Sequence, residues 1–408
     1  MKIYNPATNQ LIREIEILSP GDIPDVFQEL KAGQKNWAKR AYAERQICIQ
    51  KFKELLEENI ESLATTLTSE VGKPIKQSRG EIKGAANRVQ WFIDNSEKWL
   101  QPETVAESDN MTEHIRYEPL GVVCNISAWN YPYLVGMNVI IPALLAGNSV
   151  AYKPSECASL TGLEIGKLMY HAGIPGNVFK TICGDAETGE ALLNLPFDGY
   201  FFTGSNKTGQ YIYEKVATKM VPCQMELGGK DPLYVTDEID DLDQVASAAM
   251  DGAFYNTGQS CCSVERIYVH ENVYDAFVKS FFEAAQGIVV GNPMDESTYV
   301  GAITRRPQIE VLKNQVADAL DKGAELKLGG KEIQIEGNFF QPTILTNVKH
   351  NMLIMSEESF GPIIGIQEVR SDEEAISLML WLQMSSSSWS TFDYRCLRFC
   401  DFPAIVVL

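Results

Sequence analysis

The sequence predicts an α/β protein: a parallel sheet covered by helices, followed by a second α/β region. Three observations predict it. Short apolar runs alternate with helix-length segments from Gly121 to Ala217, the rhythm of a parallel sheet with crossover helices. Polar and glycine-containing tetrapeptides follow several of those runs, at the strand ends where such sheets bind ligands. A second alternation starts near Glu226, with a helix over 242–254 and a strand over 266–269.

Along the chain, residues 20–100 read as helical. Ile47, Ile49, Phe52, Leu55, Leu56, Ile60, Leu63 and Leu67 recur at near-helical spacing within 44–70. Gly72-Lys73-Pro74 breaks this run, and a second helical run follows to about Leu100. The polar stretch 101–112 reads as an exposed turn leading into a short strand at 114–117. Strands are then expected at 122–126, 149–152, 178–183 and 199–202. Helices are expected at 135–145, 160–172, 186–194 and 205–217.

Composition excludes several classes. The 408 residues are 45% hydrophobic and 22% charged, the balance of a soluble globular protein large enough for more than one core. The net charge of −19 repels phosphate backbones, which argues against nucleic acid. No apolar stretch is long enough for a membrane helix and none resembles a signal peptide, so a cytoplasmic location is expected. The nine cysteines and four histidines lack metal-ligand spacing. No metal is expected, and reduced thiols are.

Six motifs could carry chemistry. Asn256-Thr257-Gly258-Gln259-Ser260-Cys261 puts a cysteine after a glycine loop, open to close approach as a nucleophile; by local pattern alone a buried inert thiol is the commoner outcome. Met225-Glu226-Leu227-Gly228-Gly229-Lys230 offers a carboxylate on tight backbone. Trp129-Asn130-Tyr131-Pro132 follows a strand, and its Asn amide can donate to an oxyanion. Lys153-Pro154-Ser155-Glu156 places an ammonium and a carboxylate at a strand end, suited to ribose hydroxyls; Glu156 would repel a 2′-phosphate. Gly204 and Ser205 lie where a strand meets a helix, suited to a pyrophosphate. A Walker loop is excluded because Gln210-Tyr211 stands where Lys and Ser or Thr are needed, and no GxGxxG occurs. Glu358-Ser359-Phe360-Gly361-Pro362 sets a carboxylate beside an aromatic and a turn.

Each motif alone is weak, but in this order they resemble the aldehyde dehydrogenase superfamily, from near the N-terminus to about Met379. The resemblance implies a Rossmann-type parallel-sheet cofactor domain at 1–226, with an oligomerisation hairpin at about 101–119, and a second α/β catalytic domain at 227–379. It implies oxidation of a small-molecule aldehyde with NAD, NADP being second choice, through a cysteine thiohemiacetal and thioester. Cys261 would be the nucleophile, Asn130 an oxyanion donor and Glu226 the base for deacylation. Trp129, Lys153, Glu156, Gly204, Ser205, Leu227, Gly228, Glu358 and Phe360 would bind the cofactor.

Two departures qualify these expectations. Where many members carry a Lys after Trp-Asn, this chain reads Gly136-Met137-Asn138-Val139. After Met379 the family pattern stops. The 29 residues 380–408 contain no Gly and only Asp393, Arg395, Arg398 and Asp401 as charges. An atypical tail of disordered or wrongly packed chain is therefore expected there, with a catalytic domain incomplete at its C-terminus. It also weakens the homodimer or homotetramer usual in the family. The alternative function is a truncated, inactive homologue that at most binds nucleotide or partners.

Overall fold

The structure, a computed structural model, describes residues 1–385 and 405–407. It divides into two compact units. One comprises residues 1–4, 11–71 and 75–227, the other 5–10, 72–74 and 228–408. Among the described residues there are sheets of five and six strands and two two-stranded hairpins.

The first unit is built on the five-stranded sheet, ordered Phe179–Thr181, Ser149–Lys153, Val122–Ile126, Gly199–Gly204, Cys223–Leu227, with every neighbouring pair parallel. Numbered by chain position, the order is 3-2-1-4-5, so the winding reverses between Val122–Ile126 and Gly199–Gly204. That reversal opens a crevice at the strand C-termini. The strands are apolar because both sheet faces are covered. Ile23, Val26, Phe27 and Leu30 of the helix Ile23–Ala38 share one buried cluster with Val122, Cys124, Tyr200 and Phe202. The helix Pro132–Leu145 starts with Pro at its first position, where no N–H is needed. Its next N–H groups are satisfied by buried Glu81, which accepts from Tyr133 at 2.9 Å and Leu134 at 3.4 Å.

The second unit carries the six-stranded sheet, ordered Glu325–Leu328, Thr343–Thr346, Ile363–Val369, Arg266–His270, Pro232–Val235, Ile405–Val407. The four inner strands are parallel and the two edge pairings antiparallel. Its faces are filled by Phe254, Phe277 and Phe281 with Leu233, Val235 and Ile267 in one cluster, and by Leu312, Met352, Met355 and Ile363 in another.

Several expectations need correction. The exposed turn at 101–112 is a strand, Glu103–Ser108, paired with Met111–Ile115 in a hairpin whose residues are all exposed. Alternation of apolar and polar side chains is absent from it because neither face is buried, so it read as a turn. The continuous helix at 44–70 is two helices, Tyr42–Glu58 and Ile60–Val71, separated at Asn59. The second region, expected to start near Glu226, resumes at Gly228, directly after the strand Cys223–Leu227 that contains Glu226. Regular structure does not stop near Met379: the helix Asp372–Ser385 continues, and Ile405–Val407 pairs with Pro232–Val235. The rest of the tail expectation, at 386–404 and Leu408, lies outside the described residues. Among the described residues no helix is long and apolar enough to cross a membrane.

Candidate active site

In the first unit the motif residues collect at the C-terminal ends of the parallel strands. Trp129, half-buried, and Asn130, buried, lie between the strand Val122–Ile126 and the helix Pro132–Leu145. Lys153 ends its strand with its ammonium buried, 3.4 Å from the carbonyl of Pro154. Burial holds that ammonium below its usual range, and the nearby Glu156 carboxylate opposes the shift. Glu156 is exposed and opens a short 3₁₀ turn. The turn forms because Ser155 Oγ accepts from the Cys157 N–H at 3.3 Å. Gly204 ends its strand, and exposed Ser205 caps the helix Asn206–Ala217 through the Thr208 N–H. Glu226 is exposed on the last strand, 3.4 Å from Gln224 Nε2, and Leu227 packs at Gly209, where a Cβ would stand 2.4 Å from Leu227 Cδ2.

In the second unit the segment leading to Cys261 has an unusual backbone. Asn256, Thr257 and Gly258 are all left-handed, with φ of 52°, 61° and 70°. For a β-branched Thr that conformation is costly, and buried bonds hold it. Thr257 Oγ1 accepts from the Gly301 N–H, Gln259 Oε1 from the Thr304 N–H, and Asn256 Nδ2 donates to the Gln259 carbonyl. Gly258 is obligatory, since a Cβ would stand 2.2 Å from the carbonyl oxygen of Gly361. The Cys261 motif and the Phe360-Gly361-Pro362 motif are therefore in backbone contact.

Cys261 is half-buried on a turn, its Sγ 3.8 Å from that of exposed Cys262. The contact with Cys262 and burial both push the Cys261 thiol well above the ordinary thiol range, with Asp231 acting in the same direction. Both effects disfavour the thiolate form of Cys261.

Glu358 lies against Gly228, where a Cβ would meet its Oε1 at 2.0 Å. Burial, reinforced by Glu265, raises its carboxyl to about 7, while the Gly229 N–H and Lys230 oppose the shift. Asp231 is raised to about 6, chiefly by burial. Phe360 is half-buried with φ of 46°.

Sequence reasoning missed what lies beneath these groups. Buried Lys230 and Glu265 pair at 2.7 Å, and Glu265 also accepts the N–H groups of Ser359 and Phe360, each at 3.0 Å. The Ser359 hydroxyl accepts from Lys230 at 2.8 Å and donates to Gln315 at 2.7 Å. Lys230 sits inside a quoted motif, but no local signal marks Glu265 or Gln315, because their partners lie 35 to 95 residues away in sequence.

A parallel sheet wound 3-2-1-4-5 with polar groups at its strand ends is of the doubly wound α/β class. The model of the aldehyde dehydrogenase family matches residues 1–382, and the chain belongs to that family. It is 37% identical over 386 residues to 3,6-anhydro-alpha-L-galactose dehydrogenase of Vibrio sp., covering 92% of this chain and 79% of that one. It is 36% identical over 383 residues to 3-sulfolactaldehyde dehydrogenase of Priestia aryabhattai, with the same coverages. Succinate-semialdehyde dehydrogenase [NADP(+)] of Deinococcus radiodurans is 32% identical over 375 residues, covering 92% and 78%. Among solved structures, an aldehyde dehydrogenase from Brucella melitensis biovar abortus superimposes with a TM-score of 0.89 at 32% identity, covering 93% of this chain and 78% of that one. A 3,6-anhydro-L-galactose dehydrogenase in complex with NAP gives 0.88 at 34%, covering 93% and 80%. The protein is an enzyme of this family, with aldehyde oxidation as its general reaction, and the inactive-homologue alternative is not favoured.

The Gly258 contact yields one expectation. Gly258→Ala forces a side chain into a left-handed position facing a carbonyl. Stability should fall by at least ~1–3 kcal/mol from the backbone conformation alone, read as a lowered midpoint in chemical denaturation. A variant as stable and active as the parent would show that the close approach is not required.

Proposed function

We propose that this chain oxidises an aldehyde to a carboxylic acid with NAD, by way of a covalent bond to Cys261. The observation that carries the reading is the contact of Gly258 with Gly361, which binds the thiol-bearing turn to the segment of Glu358 and Phe360. In this reading residues 1–226 form the NAD-binding domain and 227–379 the catalytic domain.

The chain's groups divide the work as follows. The Cys261 thiol, whose thiolate form is disfavoured, loses its proton as the sulfur adds to the carbonyl carbon. Asn130 and the Cys261 N–H donate to the resulting oxyanion, a contribution of roughly 3–4 kcal/mol in comparable sites. When bound, the nicotinamide cofactor supplies the hydride acceptor. Loss of hydride leaves a thioester on Cys261. Glu226, exposed and carrying only a long contact from Gln224, takes a proton from the attacking water. The acid leaves and the thiol is restored.

The residues present fit the cofactor. The buried Lys153 ammonium and the Glu156 carboxylate offer a donor and an acceptor, the pair a ribose diol needs. Ser205 and Gly204 suit the pyrophosphate, with Trp129 and Leu227 beside the same strand ends. Glu358, in the cradle that Gly228 leaves open, suits the nicotinamide ribose, and Phe360 the nicotinamide ring. The seven described cysteines are free, which fits a reducing compartment, the cytoplasm.

Three experiments test these assignments. Cys261→Ala should abolish oxidation, whereas Cys262→Ala should retain it. Because Cys262 raises the Cys261 thiol, Cys262→Ala should also move the pH profile of alkylation to lower pH. Glu226→Gln should accumulate a thioester on Cys261 after substrate and NAD, seen by mass spectrometry. Activity lost with Cys262 and kept without Cys261 would reverse the assignment.

NAD should bind more tightly than NADP by roughly tenfold, because a carboxylate at Glu156 repels a 2′-phosphate. Calorimetry with each nucleotide measures this, and equal affinities would refute it.

Self-association is assigned to the hairpin Glu103–Ser108 with Met111–Ile115, where Val105 and Met111 are 54% and 58% exposed. Met111→Lys with Ile115→Lys should lower the sedimentation coefficient. A monomeric parent chain, or an unchanged coefficient, would remove the assignment.

A further inference from the structure

Glu265 reaches three segments of the second unit at once. It follows Cys261 by four residues and immediately precedes the strand Arg266–His270. Its side chain is only 5% exposed. One oxygen accepts from Lys230 Nζ at 2.7 Å and from the Ser359 N–H at 3.0 Å, and the other accepts from the Phe360 N–H at 3.0 Å. Its own N–H donates to the Asp231 carbonyl at 3.0 Å. Lys230 reaches past it to Ser359 Oγ, and Gln315 braces the same loop through the Glu358 carbonyl at 3.2 Å.

A carboxylate that accepts three donors cannot be exchanged for a neutral group of the same shape without turning a donor against a donor. The loop it holds contains Phe360 in a left-handed conformation that no glycine eases. Glu358, one residue before the clamped Ser359, is thereby placed against Gly228 with no room for adjustment on that side.

We propose that Glu265, charge-balanced by Lys230, is the positioning residue for Glu358: it touches neither substrate nor cofactor and sets where the Glu358 carboxylate stands. The proposal rests on the reading that Glu358 receives the nicotinamide ribose. It also has an electrostatic consequence. Glu265 is the largest charged contributor to the raised Glu358 carboxyl, exceeding the opposing effect of Lys230. Removing the Glu265 charge is therefore expected to lower the pH at which Glu358 ionises, both alone and together with Lys230. An ionised Glu358 accepts from ribose hydroxyls and a protonated one does so poorly, so NAD affinity should rise with pH through about 7 in the parent protein.

The test is calorimetric titration of the full chain with NAD, without aldehyde, from pH 6 to 9 in variants Glu265→Gln, Lys230→Met with Glu265→Gln, and Glu358→Ala. The double variant removes both buried charges together, so it remains foldable if Glu265→Gln alone strands the lysine; circular dichroism and thermal melting confirm its fold. The expected result is affinity at high pH weakened by roughly tenfold, together with a midpoint of the affinity profile moved to lower pH. A charge effect alone would move the midpoint and leave the affinity at high pH, where Glu358 is fully ionised, at the parent value, so the weakened high-pH affinity is what reads positioning. Parent-like affinity and midpoint in the folded double variant would overturn the proposal. If Glu358→Ala itself leaves NAD affinity and its pH dependence unchanged, the ribose assignment fails instead, and the positioning role falls with it.

Discussion

The ion pair between Lys230 and Glu265 is the interaction on which the second unit depends. Both side chains are almost wholly shielded, at 3% and 5% exposed. Burying two charges costs desolvation that their attraction roughly repays, so the pair adds little net stability compared with an apolar replacement. Its value lies in what else it bonds. Glu265 accepts two backbone N–H groups from the Ser359–Phe360 turn, and Lys230 adds the Ser359 hydroxyl. Three segments far apart in the chain are thus joined through four charge-assisted hydrogen bonds. Losing one partner alone would leave a buried charge uncompensated, at about 3–5 kcal/mol.

The strained turn before Cys261 follows the same logic. Left-handed Asn256 and Thr257 each cost about 1–3 kcal/mol in isolation. Their side chains are consumed in holding that geometry, through Gly301 and Gln259, while Gln259 in turn caps Thr304. The polar atoms are buried, so the alternative to these bonds is an unsatisfied group rather than water. The turn can therefore keep one shape, with Gly258 against Gly361. The same packing disfavours charge at Cys261, through the contact with Cys262 and through burial.

In the first unit, placement comes from strand ends rather than from ion pairs. Parallel strands end in register, so Trp129, Lys153, Gly204 and Leu227 reach one edge although they are spread over about a hundred residues. Buried carboxylates steady the helices that follow. Glu81 accepts at the start of Pro132–Leu145. Glu70 accepts from Leu160 and Thr161 at the start of Ser159–His171, and burial raises it to about 7 despite those donors. Helix starts need such acceptors when no water reaches them.

Much of this was legible without coordinates. The alternation from Val122 onward determined the parallel sheet, because strands buried on both faces must be apolar throughout. The order of the motifs determined the family, and the residues Cys261, Glu226, Asn130 and Glu358 as candidates. The strand Glu103–Ser108 was not legible in its own pattern, since exposed strands carry no apolar period, and only the family resemblance pointed to a hairpin at about 101–119. Nor did the tail announce that Ile405–Val407 pairs with Pro232–Val235, a contact between segments some 170 residues apart. Local sequence determines which segments are helix or strand and which motifs are present, because propensity and periodicity act over a few residues. Only the tertiary structure decided that Glu265 clamps Ser359 and Phe360, that Gly258 meets Gly361, and that Cys262 and burial push the Cys261 thiol upward. Those outcomes depend on burial and on partners brought from distant positions, and neither is encoded in any one stretch of the chain.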